Sequence, residues 1–160
     1  MIERYSLPEM AAVFAEQRKL EVWKEVEALT LEAWAAAGVA PDPAPAMLRR
    51  APVPTPEAVA EREEITNHDL AAFVDLLGAG MAAHGEWVHY GLTSSDVLDT
   101  ANAVVLNEAA GLLLARLSHL FGEVKRRAFE HRDTVMVGRT HGMWAEPTTF
   151  GLKLAQAYAE

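Results

Sequence analysis

Cysteine is absent from the 160 residues, which excludes a disulfide framework, a thiolate metal site and a thiol nucleophile. Positive charge is also scarce: 14 Lys and Arg stand against 23 Asp and Glu, a formal net charge of −9. Nucleic-acid partners usually meet a basic patch, so this balance argues against one. A small anion is not excluded, because it needs only a local cluster of donors. The opening Met1-Ile2-Glu3-Arg4-Tyr5 has neither the basic nor the apolar region of a signal peptide. The most apolar stretch, residues 101–117, is interrupted by Asn102, Asn107, Glu108 and Arg116 and is read as no membrane span. A soluble, cytoplasmic protein is expected.

What is present favours helix. Half of the composition is hydrophobic, with alanine, leucine and glutamate plentiful. Ser6-Leu7-Pro8-Glu9 reads as a capping box with Ser6 as N-cap. Helical spacing follows through Met10, Val13, Phe14, Leu20, Trp23, Val26 and Trp34, with Gly38 as the stop. Six prolines between 41 and 56 exclude continuous helix there, leaving an extended loop with one short turn at 46–50. Thr55-Pro56 restarts a helix through residue 66, which continues with a bend over 69–83.

From 96 to 130 apolar residues keep a 3.6-residue period: Val97, Ala101, Val105, Leu112, Leu113, Leu120 and Val124 among them. That predicts a rod of about 33 residues, roughly 50 Å long. Rods of this length belong to coiled coils or to bundles shared between subunits, so an exposed apolar stripe is expected on an isolated chain. Residues 134–137 read as an extended loop, and Glu146-Pro147 as the start of a last helix that the sequence cuts off. The fold class is therefore all-α: a small N-terminal helical domain over 1–111, then the start of a long-helix bundle over 112–160. A fragment of a longer protein is expected.

Several constellations could carry chemistry. Gly138-Arg139-Thr140-His141-Gly142 sets a histidine between glycines, where a ring nitrogen could exchange a proton near neutral pH. A turn with an exposed histidine fits the same pattern. Leu92-Thr93-Ser94-Ser95-Asp96 opens the long helix, and its hydroxyls and free N–H groups suit an anion, or simply a cap. Asn67-His68-Asp69 gathers three polar side chains at the bend, with a local cap as the plain alternative. Arg4-Tyr5 offers a guanidinium and a phenol suited to phosphate, or a surface pair at a loose terminus. Glu86-Trp87-Val88-His89 has the Glu-x-x-His spacing of di-iron bundles, but no second copy, so no metal is expected.

Taken in order, these pieces resemble the adenylosuccinate lyases of the fumarase/aspartase superfamily. The resemblance runs from Arg4-Tyr5 through Thr66-Asn67-His68-Asp69 and His89-Tyr90-Gly91-Leu92-Thr93-Ser94-Ser95-Asp96. It ends on Gly138-Arg139-Thr140-His141-Gly142 and Glu146-Pro147-Thr148-Thr149-Phe150-Gly151. Met143-Trp144 falls at positions expected to vary, with glutamine common at the first of them in many relatives. The resemblance implies elimination of fumarate from adenylosuccinate and from succinyl-aminoimidazole-carboxamide ribotide, without a cofactor. It implies His141 as general acid, Arg4, Tyr5, Asn67, His68 and Asp69 around the nucleotide, and Thr93 and Ser94 on a succinyl carboxylate. His89 is implied as a phosphate contact. It further implies a homotetramer whose active sites draw on several subunits, and a catalytic-base loop beyond residue 160. The rival readings are another lyase of the superfamily, such as a carboxymuconate cycloisomerase or argininosuccinate lyase, and a non-catalytic helical oligomerisation module.

Overall fold

The computed structural model describes residues 2–160, and the chain divides into two compact units, one running to Ala109 and the other Ala110–Glu160. The described residues form seven α-helices and one two-stranded hairpin. The all-helical class holds, with the hairpin as its exception.

In the first unit a 3₁₀ turn at Glu3–Tyr5 precedes α1 (Pro8–Val13) and α2 (Glu16–Ala36). The capping box does not form. Leu7 is the N-cap because Pro8 takes the first helical position, and the Ser6 hydroxyl donates to the Ile2 carbonyl at 3.0 Å. The helix expected from Met10 onwards is broken at Phe14 and Ala15, where Ala15 is extended. Neither glycine nor proline marks that break, so the apolar spacing runs straight through it. Gly38, at φ 70°, follows the end of α2, and the Val39 N–H returns to the Trp34 carbonyl at 2.9 Å.

The proline segment holds a true helix, α3 (Ala44–Arg50), longer than the turn expected there. Two ties fasten it to α2: Lys24 donates to the Arg49 and Ala51 carbonyls, and Arg49 bridges Glu25 and Glu32. Next, α4 (Pro56–Thr66) starts on the Thr55 hydroxyl, which accepts from the Ala58 N–H at 3.2 Å. It ends where Asn67 turns left-handed, and α5 (Asp69–Ala79) begins after the extended His68. A further 3₁₀ turn, Gly85–Trp87, leads to α6 (Ser94–Glu130), 37 residues long.

The core of this unit gathers Leu20, Trp23 and Leu31 of α2, Leu48 of α3, Leu70, Phe73 and Leu77 of α5, and Val97 and Ala101 of α6. Trp23 meets Phe73 edge-on, with ring centroids 5.4 Å apart. Glu27 is the one buried charged side chain among the described residues. Helix α6 is long and apolar enough to cross a membrane by length and composition. Its first half instead packs Val97, Ala101 and Val105 into this core, Ala109 is buried as well, and Arg18 of α2 pairs with Glu108.

The second unit contains the rest of α6, the strands β1 (Val135–Thr140) and β2 (Met143–Thr149), and α7 (Phe150–Ala159). The segment read as an extended loop is strand β1, paired antiparallel with β2. Glu146 and Pro147 lie in β2 rather than at a helix start, and Pro147 stands opposite Val137. A two-stranded ribbon has only edges, so the N–H that proline lacks is not needed on its open side. Helix α7 starts three residues later, capped by Thr149, whose hydroxyl accepts from the Leu152 N–H at 3.2 Å.

The expected apolar stripe on α6 is partly covered. Val105 is buried in the first unit, Leu112 and Val124 are half-buried, and Leu113 and Leu120 remain exposed. Beside α7 lies an apolar groove of about 600 Å³ lined by Phe129, Leu152, Ala155 and Tyr158.

Candidate functional site

In the first unit the turn between α4 and α5 meets the start of α6. Asn67 takes φ 52°, a conformation that asparagine tolerates better than most residues, and its side chain donates back to the Ile65 carbonyl at 3.3 Å. This turn sets up the extended His68, whose Nε2 lies 3.2 Å from the Ser94 Oγ. On the other side of the ring, Nδ1 lies 3.2 Å from Asp69 Oδ1. His68, Asp69 and Ser94 thus form one line of polar contacts across 26 residues of sequence.

Thr93 is placed beside them but differently engaged. Its backbone N–H and its hydroxyl both donate to Asp96 Oδ2, at 2.7 and 2.9 Å. The N–H first, and then the hydroxyl, hold the Asp96 carboxyl below the usual aspartate range. With the Thr93 proton on Asp96, donor capacity at this helix start falls to Ser94 and to the free N–H groups of the first turn. Those groups sit at the positive end of a 37-residue helix.

His89 lies in the connection just before Thr93, at φ 66°. Three aromatic side chains hold this connection. Trp34 Nε1 donates to the Tyr90 carbonyl at 2.9 Å, and the Tyr90 ring centroid lies 5.9 Å from that of Trp34 and 4.7 Å from that of Trp87. Glu27, which no motif singles out, reaches the same point from inside. Its Oε2 accepts the His89 backbone N–H at 2.8 Å, and its Oε1 lies 2.6 Å from His89 Nδ1. The only sequence signal for Glu27 is its register on α2, one turn from Trp23 and Leu31, where a core residue is expected.

Arg4 and Tyr5 stand in the terminal 3₁₀ turn. The Arg4 guanidinium lies 4.8 Å over the Tyr5 ring, and Tyr5 is exposed. In the second unit His141 and Gly142 form the two-residue tip of the β1–β2 hairpin, with φ 50° and 75°. Positive φ at both positions is the backbone of a type I′ turn, which glycine at the second place allows. His141, Met143 and Trp144 are all exposed there. The base of the hairpin is fastened to the end of α6: the Phe150 N–H donates to Thr134 and the Gly151 N–H to His131, both at 2.9 Å. Among the described residues no group of His, Asp and Glu could hold a metal ion.

A family model described as Lyase matches residues 8–160. The chain is 45% identical over 160 residues to the adenylosuccinate lyase of Bacillus subtilis (strain 168), covering all of this chain and 37% of the relative. It is 42% identical over 166 residues to that of Aquifex aeolicus (strain VF5), with the same coverage. Among solved structures, a 3-carboxy-cis,cis-muconate lactonizing enzyme from Pseudomonas putida superposes with a TM-score of 0.87 at 30% identity, over 96% of this chain and 37% of that one. The chain thus spans little more than a third of the length of these relatives.

Proposed function

This chain belongs to the Lyase family, and we propose that it is the N-terminal part of an adenylosuccinate lyase. The proposed reaction releases fumarate from adenylosuccinate to leave AMP, and from succinyl-aminoimidazole-carboxamide ribotide in the same pathway. The reading rests on 42–45% identity to two such enzymes over the whole chain. The observation that carries the site is the His68–Ser94 contact at the start of α6.

Elimination needs an acid for the departing nitrogen, a base for the carbon-bound proton, and donors for the doubly negative intermediate. In this reading the Ser94 hydroxyl and the N–H groups of the first turn of α6 take a succinyl carboxylate, and Thr93 closes that helix start. His68 supports Ser94: when Ser94 donates to the anion, a protonated His68 Nε2 donates into the Ser94 oxygen. Asn67 and Asp69, with Arg4 and Tyr5, lie around the nucleotide, and His89 meets its phosphate. His141 is the general acid. Its place at a hairpin tip suits a group that must reach into a site built by other parts of an assembly. The base comes from a loop outside residues 1–160, so this chain alone does not turn over.

The exposed leucines of α6 and the groove beside α7 are where further helices of a homotetrameric bundle dock. No cofactor is required, and a cytoplasmic location follows from the metabolic role. A full-length form given adenylosuccinate should produce AMP and fumarate, followed by absorbance. Turnover of 3-carboxymuconate instead of adenylosuccinate would overturn the substrate assignment in favour of the lactonizing relatives.

A further inference from the structure

We propose that Glu27 is a positioning residue that holds His89 in one backbone conformation and one ring tautomer, so that Nε2 is the ring atom offered to a ligand phosphate. The inference rests on the reading of His89 as a phosphate contact, but its central claim concerns this chain alone. Burying a carboxylate is costly unless its oxygens are satisfied, and the Glu27 side chain is 1% exposed. Both oxygens are satisfied by one residue 62 positions away, Oε2 by the His89 backbone N–H and Oε1 by His89 Nδ1. A core position of α2 therefore carries a carboxyl group whose two oxygens both go to His89.

The geometry has two consequences. Histidine at φ 66° sits in the left-handed region, which persists only where surrounding contacts over-determine it. The Glu27 bond to the backbone N–H is one such contact, and the Trp34 bond to the next carbonyl is another. An ionised carboxylate also has no proton to give, so Nδ1 must carry the hydrogen it shares with Oε1. The neutral ring is then a proton acceptor at Nε2, and it becomes a donor there only when the ring is charged. Phosphate oxygens accept, so His89 binds phosphate in its charged form. Among the described residues, Glu27 of α2 touches the ring and Asp96 of α6 interacts with it electrostatically.

Glu27→Gln tests this because the amide has one oxygen for two donors. If that oxygen keeps the backbone N–H, the amide NH₂ faces Nδ1 and the ring must move its proton to Nε2. Nitrogen-15 shifts of the neutral histidine rings should give Nδ1–H for His89 in the native protein and Nε2–H in Glu27→Gln. In a full-length form, calorimetry with AMP should weaken with rising pH for the native protein. That dependence should flatten in Glu27→Gln, whose neutral ring still donates. Glu27→Ala should weaken AMP binding about tenfold or more at neutral pH. An Nε2–H ring in the native protein, which needs no variant to fold, overturns the proposal, as does an unchanged tautomer in Glu27→Gln. The expected tautomers with AMP binding indifferent to both variants leave Glu27 as the positioner of His89 and overturn the phosphate reading alone.

Discussion

Thr93 and Ser94 are adjacent hydroxyls at one helix start, and replacing each by alanine separates capping from recognition. Ser94→Ala removes an oxygen 3.2 Å from His68 Nε2, an exposed contact whose loss costs little stability. In the lyase reading it also removes a donor from a carboxylate. A hydrogen bond to a charged acceptor contributes about 1.5–3 kcal/mol, or about tenfold to hundredfold in affinity. Fumarate and adenylosuccinate binding should fall by that factor, while AMP, which carries no such carboxylate, is spared. Thr93→Ala removes one of the two bonds to Asp96 Oδ2. It should lower the melting temperature by about 2–4 °C and weaken fumarate less than Ser94→Ala does. Calorimetric titration of a full-length form with fumarate and with AMP, beside a thermal scan, reads these effects in both variants. Equal weakening of AMP and fumarate by Ser94→Ala would refute the carboxylate assignment. Equal loss of fumarate binding in both variants would refute the division between the two hydroxyls.

Three further outcomes follow from other parts of the chain. His141→Asn keeps a residue that tolerates positive φ before Gly142, so the hairpin should survive while kcat in a full-length form drops about 10²–10⁴-fold with AMP binding retained; near-normal turnover would remove His141 as the acid. Gly151→Ala would place a Cβ 2.5 Å from the Ala128 carbonyl oxygen and from Arg132 Cα, so it should destabilise by about 1–3 kcal/mol in denaturant unfolding. The Asp96 carboxyl is held below its ordinary range in the folded chain, so its contribution exists above that range and is lost as pH falls through the folded value. Asp96→Asn should therefore be less stable than the native protein at neutral pH and match it in strong acid, as measured by urea midpoints.

Where a single local signal decided an element, the sequence was readable. Gly38 ends α2, Thr55-Pro56 opens α4, and the sustained apolar period of 96–130 is one unbroken helix. Where two local signals competed, it was not. Ser6 looks like a cap, but Pro8 sets the first turn and leaves Leu7 at that position. Pro147 looks like a helix start, yet ribbon pairing with Val137 takes priority and the Thr149 hydroxyl begins the helix. The break at Phe14 carries no local signal at all. Among the candidate site residues, the contact between His68 and Ser94 could not be read from spacing, because it depends on how the α4–α5 turn is brought to α6.

Glu27 is the clearest case of a residue invisible to motif reading. Motifs pick out side chains that meet a ligand, and those cluster in turns and helix starts where backbone donors are free. A residue that holds such a side chain in place is buried, lies on a regular element and follows the hydrophobic register. In composition it is therefore just one more glutamate. What distinguishes it is energetic: a carboxylate at a core position is tolerated only if something in the fold needs its two oxygens. On α2 both oxygens meet a single histidine, through its backbone N–H and its ring, at φ 66°. A charged residue falling on the apolar face of a helix, between Trp23 and Leu31, is thus itself a sequence signal. It points to a partner elsewhere in the chain, and the search for that partner leads to the connection before α6, where the candidate site is assembled.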